Sequence, residues 1–347
     1  MQNLEAYQYE LPKELIAQAP REPRGSSRLF VYDTHADDLA FDTFNNIGKH
    51  LPAGALLVRN STMVVPARVR VLRPTGGKVE LLLLMNEHGG GTRIGAISNR
   101  RLAIGEIVTF SSGETMRVAA QRENIFEFEL CFEPRLLVEI LAKIGVTPTP
   151  PYINYPGHEA QLRSAYQSVF ARHPASVAAP TASLHFSAEL FDLLRAQGFL
   201  VAELALHVGL GTFAPVKADQ LAQGKLHGEY FDLPSESSQM IARAKAQAIP
   251  VVAIGTTVVR ALESAAPHIL GGAACSGKTE LFIRPPFQFQ ITDALITNFH
   301  VPGSSLICLV DALLRDKKAK RNVLDLYGIA IAERFRFFSF GDAMLIR

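Results

Sequence analysis

Four histidines of this chain lie in segments rich in glycine, proline and small residues: His185, His207, His227 and His300. Histidine is the side chain that most readily serves as a general acid or base near neutral pH. Glycine and proline beside it favour tight turns and allow a ligand to approach the backbone closely. A single histidine of this kind more often closes a turn in the core. Four of them predict a site assembled from several loops.

The segments that carry these histidines belong to a region in which strand and helix patterns alternate. Apolar strand patterns cover 199–208, 249–257 and 294–299, and helical patterns cover 187–198 and 235–247. This alternation predicts an α/β layer built from parallel units. Ligands in such folds bind at the carboxyl ends of the strands. Those ends carry H-V-G-L-G-T, I-G-T-T and T-N-F-H, which hold much of the candidate chemistry.

Residues 68–147 have a different character from the rest of the chain. Short segments rich in β-formers are separated by Gly-Gly, His-Gly-Gly-Gly and Ser-Ser-Gly. Closely spaced short strands of this kind predict a small antiparallel β-barrel. The proline-rich run 147–152 is a stiff connector. We therefore expect an α/β domain formed by residues 1–67 and 148–347, with a β-barrel domain inserted as residues 68–147.

Composition limits the function classes. The chain has 347 residues, of which 48% are hydrophobic and 20% charged, as in globular proteins. Apolar runs of about 20 residues and a secretory leader are both absent from the sequence, so no membrane span is expected. The three cysteines lie far apart, without the spacing of a zinc site or a disulfide framework. A cytoplasmic protein without a metal is expected.

The local motifs are individually weak. G-L-G-T-F at 209–213 resembles half of a dinucleotide-binding loop, but alanine stands at the third glycine position. The P-loop pattern and the hydrolase nucleophile elbow are both missing. G-T-T at 255–257 opens a predicted helix, where backbone amides could hold an anion. Ordinary helix capping by Thr256 explains that segment equally well.

Basic residues cluster in two places, although the net charge is only +2. One cluster is R-D-K-K-A-K-R at 315–321, and the other is E-R-F-R-F-F at 333–338, where arginines alternate with aromatics. Such residues can neutralise phosphates and stack on bases. A solvated helix face and a core strand would produce the same patterns, and that interpretation is favoured.

Taken together, the ordered segments resemble the S-adenosylmethionine:tRNA ribosyltransferase-isomerase family of queuosine biosynthesis. The resemblance runs from Y-E-L-P-K-E-L-I-A-Q at 9–18 to F-R-F-F-S-F-G-D-A-M-L-I at 335–346. It includes V-P-A-R at 65–68, S-V-A-A-P-T-A-S-L-H-F at 176–186, L-H-V-G-L-G-T-F-A-P-V at 206–216, L-H-G-E at 226–229, G-T-T-V-V-R-A-L-E-S at 255–264 and D-A-L-I-T-N-F-H-V-P at 293–302.

This resemblance implies an α/β main domain with an inserted β-barrel. It also implies that the ribosyl part of S-adenosylmethionine moves to 7-aminomethyl-7-deazaguanine at the wobble position of a tRNA. The products would be epoxyqueuosine, adenine and methionine. S-Adenosylmethionine would be a co-substrate, with no further cofactor. The implied partner is the anticodon loop, whose bases can be splayed into a pocket without melting a duplex. A monomer is expected.

The reaction requires proton transfers, and the candidate residues follow from them. The aminomethyl group attacks only when neutral, the sulfonium acidifies neighbouring C–H bonds, and departing adenine gains from a proton donor. We expect catalysis by His185, His207, His227, His300, Glu229, Asp293 and Asp342. S-Adenosylmethionine is expected to bind at Thr181, Gly209, Gly211, Thr212, Thr256, Thr257 and Asn298. The tRNA is expected to contact Arg68, Lys78, Arg260, Arg334 and Arg336.

The chain departs from the family pattern at three places. Met63 stands where the family has arginine, Ser183 replaces a glycine, and Pro285-Pro286 replaces Pro-Gly. These changes leave a second hypothesis open, a tRNA-binding paralogue with lost or altered catalysis. A third hypothesis is another S-adenosylmethionine enzyme such as a methyltransferase. The incomplete glycine fingerprint argues against it.

Overall fold

The computed structural model describes residues 4–209, 216 and 218–347, which form two bodies of secondary structure. The α-helices are α1 Leu137–Ile144, α2 Glu159–Ala165, α3 Ala188–Ala196, α4 Ala218–Gln223, α5 Ser235–Ala246, α6 Thr256–Leu270, α7 Ser305–Asp316 and α8 Val323–Ala332. Short 3-10 helices cover Leu4–Tyr7, Lys13–Leu15, Phe44–Lys49, Met85–Glu87, Pro134–Leu136 and Thr181–His185.

The strands divide between a large mixed sheet, a closed barrel and one small pair. They are β1 Arg28–Asp33, β2 Asp38–Thr43, β3 Leu56–Asn60, β4 Thr62–Val64, β5 Arg68–Leu72, β6 Lys78–Leu83, β7 Arg93–Ser98, β8 Ile107–Phe110, β9 Thr115–Arg122, β10 Ile125–Leu130, β11 His173–Ser176, β12 Leu200–Leu206, β13 Lys225–Leu233, β14 Val251–Ile254, β15 Cys275–Leu281, β16 Ala294–Asn298 and β17 Ala343–Ile346.

The large sheet has the strand order β15-β13-β12-β3-β14-β16-β17-β1-β2. Its centre, β12-β3-β14-β16, is parallel as the alternating pattern predicts. On both sides of this centre the neighbouring pairs are antiparallel, and farther out β1 pairs with β17 in parallel. The burial patterns agree with this division. The central strands β3, β14 and β16 are buried along their whole length, whereas β13 alternates at its end.

Helices cover both faces of this sheet. Alternate residues of β14 enter two separate hydrophobic clusters, with Val251 and Ala253 in one and Val252 and Ile254 in the other. Apolar residues of α5, α6, α7 and α8 join the first cluster, and those of α3 join the second. The result is the three-layer α/β arrangement expected from the sequence. Within the described ranges, none of these helices is long and apolar enough to cross a bilayer.

The β-barrel closes with the strand order β10-β7-β6-β5-β8-β9 and is antiparallel throughout. Strand β10 alternates between buried and half-buried residues, which fill a barrel core of its own. Helix α1 packs its apolar face on that core. A backbone bridge joins Arg68 to Val146, so the chain leaves and returns at one place. The α/β fold with an inserted β-barrel is thus present.

Candidate active site between the barrel and the sheet

A cavity of about 560 Å³ lies between the barrel and the carboxyl edge of the central strands. Its volume falls in the range of small-molecule sites, about 300–1,000 Å³. One wall comes from the barrel, through Leu84, Asn86, Glu87, Ile97, Arg122, Glu123, Asn124 and Ile125. The other wall comes from the α/β domain, through Gly209, Gln220, Leu226, His227, Gly228, Glu229, Thr256, Thr257, Arg260, Ser305 and Leu306.

The start of helix α6 forms one side of the α/β wall. Strand β14 ends at Ile254, and Gly255 turns the chain with φ of +98°, a conformation that favours glycine. Thr256 and Thr257 then open a helix of 15 residues. First-turn N–H groups have no intrahelical acceptor and carry a partial positive charge. This side of the cavity therefore suits an anionic group such as a carboxylate.

Strand β13 brings His227 and Glu229 to the same wall. The two residues lie two positions apart on this strand, in a segment where the register against β15 shifts. His227 is exposed to the cavity, whereas Glu229 is buried. The Gly209 N–H donates to Glu229 Oε1 at 3.0 Å, and Arg260 Nη1 donates to Oε2. A proton-transfer group thus stands beside a fixed carboxylate.

Arg260 does not face solvent, and its guanidinium holds the Glu229 carboxylate in place. It lies one turn into α6 and is buried, with side-chain nitrogens that donate to the carbonyl oxygens of Leu281 and Thr279 at 3.1 and 3.4 Å. The ion pair with Glu229 therefore belongs to the cavity wall. The expectation that Arg260 contacts tRNA phosphates does not hold, because burial and this pairing occupy the guanidinium.

Gly209 connects the two walls. A Cβ atom at this position would lie 2.7 Å from Asn86 Nδ2, so a side chain there would require the Asn86 amide to move. Asn86 itself belongs to the short helix that follows β6. Glu229 and Asn86 are therefore both neighbours of Gly209. Gly211 and Thr212, also expected to bind S-adenosylmethionine, lie outside the described residues.

His207 lies behind this wall, at the end of β12. Its Nδ1 is 2.9 Å from Thr62 Oγ1, and its backbone N–H donates to the Tyr230 carbonyl. Burial lowers the pKa of His207, with a smaller effect from the positive charge of His173. His207 is not among the cavity-lining residues. It fixes the strand end from which Gly209 enters the cavity.

His185 and Asn298 form a separate buried cluster, in which Asp342 also lies. Asn298 Nδ2 donates toward His185 Nε2 at 3.3 Å, so Nδ1 carries the proton and faces Ser27 Oγ at 2.9 Å. Burial lowers the pKa of His185 to about 4, opposed by the charge of Asp342. Asp342 accepts the backbone N–H groups of Arg28 and Arg336. His185 and Ser27 line a small cavity of about 20 Å³.

His300 and Asp293 also lie away from the large cavity. His300 Nε2 is 2.8 Å from Thr297 Oγ1, its carbonyl accepts the Tyr9 hydroxyl, and burial lowers its pKa to about 3. Asp293 precedes β16 and so lies at the opposite edge of the sheet. There it accepts Lys245 Nζ at 2.9 and 3.0 Å and the Val251 N–H at 2.8 Å.

The structure therefore does not bring all the predicted catalytic residues around one cavity. His227 and Glu229 line it, His207 supports it, and His185, His300, Asp293 and Asp342 are held by internal hydrogen bonds elsewhere. Among the predicted S-adenosylmethionine residues, Gly209, Thr256 and Thr257 line the cavity. Asn298 does not, and the half-buried Thr181 opens the 3-10 helix that ends at His185.

The residues predicted to contact tRNA differ in their exposure and in their ion pairs. Lys78 and Arg334 are exposed, and Arg68 is half-buried and pairs with Glu80 at 2.8 Å. Arg336 is partly buried beside Asp342, and this burial lowers its pKa. Arg336 is therefore not a free phosphate contact. Phe335 and Phe337 are fully buried, which confirms the core interpretation of that aromatic segment.

The departures from the family pattern have different surroundings. Met63 lies on β4 and is exposed, at 38% of its surface. Ser183 is fully buried, and its hydroxyl has no hydrogen-bond partner among the described residues. Ser183 is not among the positive-φ residues, so a side chain is tolerated by the backbone there. Neither residue lines the large cavity.

Acid is expected to destabilise the fold through His185 and His300. Their folded pKa values of about 4 and about 3 lie below the value of about 6.5 for an exposed histidine. Between these values the unfolded chain binds more protons, so stability is complete above about pH 6.5 and falls as the pH drops. At about pH 5.5 the expected loss is on the order of 1 kcal/mol for each histidine.

Urea unfolding at about pH 7.5 and about pH 5.5 would measure this effect in the wild type and in His300→Gln. Glutamine keeps a polar partner for Thr297 but does not titrate. The variant should lose roughly 1 kcal/mol less than the wild type between the two conditions. An equal loss in both proteins would show that His300 is not held neutral by burial.

Comparison with known proteins places the whole chain in one family. The family model described as "Queuosine biosynthesis protein" matches residues 4–346. The chain belongs to this family. It is 44% identical over 99% of each chain to an S-adenosylmethionine:tRNA ribosyltransferase-isomerase of Carboxydothermus hydrogenoformans. A relative of the same name from Rubrobacter xylanophilus is 43% identical, over 97% of this chain and 96% of its own.

A solved structure shares this fold. The S-adenosylmethionine tRNA ribosyltransferase of Thermotoga maritima is 30% identical, covers 98% of this chain and 99% of its own, and superposes with a TM-score of 0.55. The α/β domain and the barrel are both included at this coverage. The aligned part therefore contains the regions that form both walls of the cavity.

Proposed function

We propose that this protein is an S-adenosylmethionine:tRNA ribosyltransferase-isomerase that acts at the cavity between the barrel and the sheet. It transfers and isomerises the ribosyl group of S-adenosylmethionine onto 7-aminomethyl-7-deazaguanine in tRNA. The products are epoxyqueuosine in the tRNA, free adenine and methionine. The observation that carries this proposal is that relatives bearing this name match over 96% or more of both chains, including both walls of the cavity.

The chemistry of the cavity wall suits S-adenosylmethionine as a co-substrate. The start of α6 at Thr256 and Thr257 favours the carboxylate of its methionine part. Glu87 and Glu123 line the barrel side and carry negative charge that attracts the sulfonium. Leu84 and Ile97 give apolar surface for a base. No further cofactor is part of the proposal, and the described residues include no group of three or more His, Cys, Asp or Glu that could hold a metal ion.

Proton transfer is assigned to His227, with Glu229 beside it. The aminomethyl group must lose a proton before it attacks, and the departing adenine must gain one. An imidazole open to the cavity can accept the first proton and donate one later. Glu229 is fixed by Gly209 and Arg260, so its negative charge stabilises the imidazolium in between. His207 supports the backbone that leads to Gly209.

The tRNA is proposed to bind through its anticodon loop at the mouth of this cavity. The target base lies in a single-stranded loop, so it enters the cavity without the cost of opening a duplex. Lys78 of the barrel and Arg334 are exposed cations that can contact the phosphates. A monomeric state and a cytoplasmic location complete the proposal.

The reaction itself can be tested by product analysis. The purified protein is incubated with S-adenosylmethionine and tRNA that carries 7-aminomethyl-7-deazaguanine, and small molecules are separated by liquid chromatography. Release of adenine and methionine in equal amounts, dependent on the modified tRNA, is the expected result. Binding of tRNA without adenine release would support the non-catalytic paralogue instead. Formation of S-adenosylhomocysteine would indicate a methyltransferase.

A further inference from the structure

The barrel wall of the cavity contains one buried polar group that the described structure leaves unsatisfied. Asn86 lines the cavity and is 5% exposed. Its Oδ1 atom is buried without a hydrogen-bond partner among the described residues. A buried carbonyl oxygen without a donor is costly and rare in folded proteins. Its presence at the edge of a ligand-sized cavity indicates that a bound molecule supplies the missing donor.

The position of Asn86 is fixed from both sides. It lies in the short helix Met85–Glu87 that follows β6 of the barrel, between the buried residue Met85 and the cavity. Across the cavity wall, Gly209 passes so close that a side chain there would collide with Asn86 Nδ2. The same Gly209 donates its N–H to Glu229. The amide of Asn86 is therefore held beside the carboxylate assigned to the reaction.

An asparagine amide presents one acceptor and one donor side by side. This pair matches an edge of adenine, which offers its 6-amino donor next to a ring-nitrogen acceptor. The Watson–Crick edge of a deazaguanine offers two neighbouring N–H donors beside its O6 acceptor. A carboxylate matches both donors, whereas an amide can pair with O6 and one N–H but leaves the second N–H without a partner. Leu84 and Ile97 line the same wall and can cover the faces of a purine ring. Adenine is therefore the better partner for Asn86.

We infer that Asn86 is a specificity-determining residue that reads the adenine edge of S-adenosylmethionine, so that the barrel selects the nucleoside while the α/β domain supplies the proton-transfer groups. This inference rests on the proposed function of the same cavity. It assigns to the barrel wall the base that leaves during the reaction. It also gives the short helix after β6 a role that the sequence motifs do not indicate.

The test uses Asn86→Leu, which keeps the size of the side chain and removes both polar atoms. The KM values for S-adenosylmethionine and for the modified tRNA are measured separately by adenine release. The KM for S-adenosylmethionine should rise by about 10-fold or more, as for the loss of a good bidentate base contact, while the KM for tRNA stays within about twofold. Asn154→Leu, which changes an exposed asparagine away from the cavity, is the matched control.

A co-substrate analogue with hydrogen in place of the 6-amino group completes the test. The wild type should show a higher KM for this analogue than for S-adenosylmethionine, whereas Asn86→Leu should show equal values for the two. The melting temperature of the variant should not fall, because an unsatisfied buried group has been removed. Asn86→Ala serves as a second variant if leucine perturbs folding.

Three results would overturn the inference while the proposed function stands. One is an unchanged KM for S-adenosylmethionine in Asn86→Leu and Asn86→Ala. Another is a rise in the KM for tRNA alone, which would assign Asn86 to the deazaguanine. The third is a variant that discriminates against the analogue with hydrogen in place of the 6-amino group as strongly as the wild type does. Absence of adenine release by the wild type would instead contradict the proposed function itself.

Discussion

Replacement of His227 by alanine is expected to lower kcat by about 100- to 10,000-fold, the range typical for loss of a general acid–base group. His227 lines the cavity on β13 and is exposed. The proton taken from the aminomethyl group then has no imidazole to receive it. Because the side chain is not part of the core, the melting temperature should stay the same. Adenine release at saturating substrates measures the effect.

The matched control for this prediction is His268→Ala. His268 is also exposed, but it lies in the last turn of α6, far along the helix from Thr256 and Thr257. This control should retain wild-type kcat. The pH profile gives a second readout, since the limb that reports the catalytic imidazole should disappear in His227→Ala. Wild-type turnover by His227→Ala would remove this residue from the mechanism.

Replacement of Glu229 by alanine is expected to lower both stability and activity. The change leaves Arg260 as a buried cation without its carboxylate, which costs about 3–5 kcal/mol in comparable buried pairs. It also removes the acceptor of the Gly209 N–H at the junction of the two cavity walls. Denaturant unfolding measures the loss of stability. Activity should fall by about 100-fold or more even where the variant is fully folded.

Two further variants separate charge from packing at this pair. The double variant with Glu229→Met and Arg260→Met removes both charges and should recover much of the stability without recovering activity. Glu133→Ala breaks an exposed pair, with side chains 63% and 81% accessible, and should change stability by less than about 0.5 kcal/mol. Wild-type stability of Glu229→Ala would show that the buried pair does not hold the wall.

The architecture was predictable because each of its signals is local. The change from alternating strand and helix patterns to short β segments marks the barrel, and the three central strands β3, β14 and β16 follow from their buried runs. His227 and Glu229 were both candidates from the sequence, but their relative orientation was not predictable. The register of β13 against β15 shifts between Lys225 and Glu229, which interrupts the regular alternation of strand faces.

The location of Asp293 could have been inferred from the same rules. It precedes the strand pattern that ends at Asn298, so it must lie at the edge opposite the carboxyl ends. The burial of His185 and His300 could not be inferred, because turn-forming neighbours accompany both catalytic and structural histidines. Their roles depend on Ser27 and Thr297, whose positions follow from tertiary packing.

No sequence motif indicates a functional role for Asn86. It stands in L-L-L-L-M-N-E-H, where the apolar run predicts only a buried barrel strand. Its relevance depends on the approach of Gly209, which is more than a hundred positions away in the chain. The barrel itself is specified by its own core, but its docking against the sheet edge is a long-range property. Local sequence patterns therefore predict the residues of a site between two domains less well than they predict the domains themselves.

Transfer of an isotopic label would show directly whether the ribosyl group of S-adenosylmethionine is added to the tRNA. S-Adenosylmethionine labelled with carbon-13 at all ribose carbons is incubated with the protein and with tRNA that carries 7-aminomethyl-7-deazaguanine. The tRNA is then digested to nucleosides for mass spectrometry. We predict a modified nucleoside with the mass of epoxyqueuosine that has gained the whole labelled ribosyl carbon skeleton, together with unlabelled adenine. An unlabelled tRNA, or a label that appears only as S-adenosylhomocysteine, would contradict this prediction.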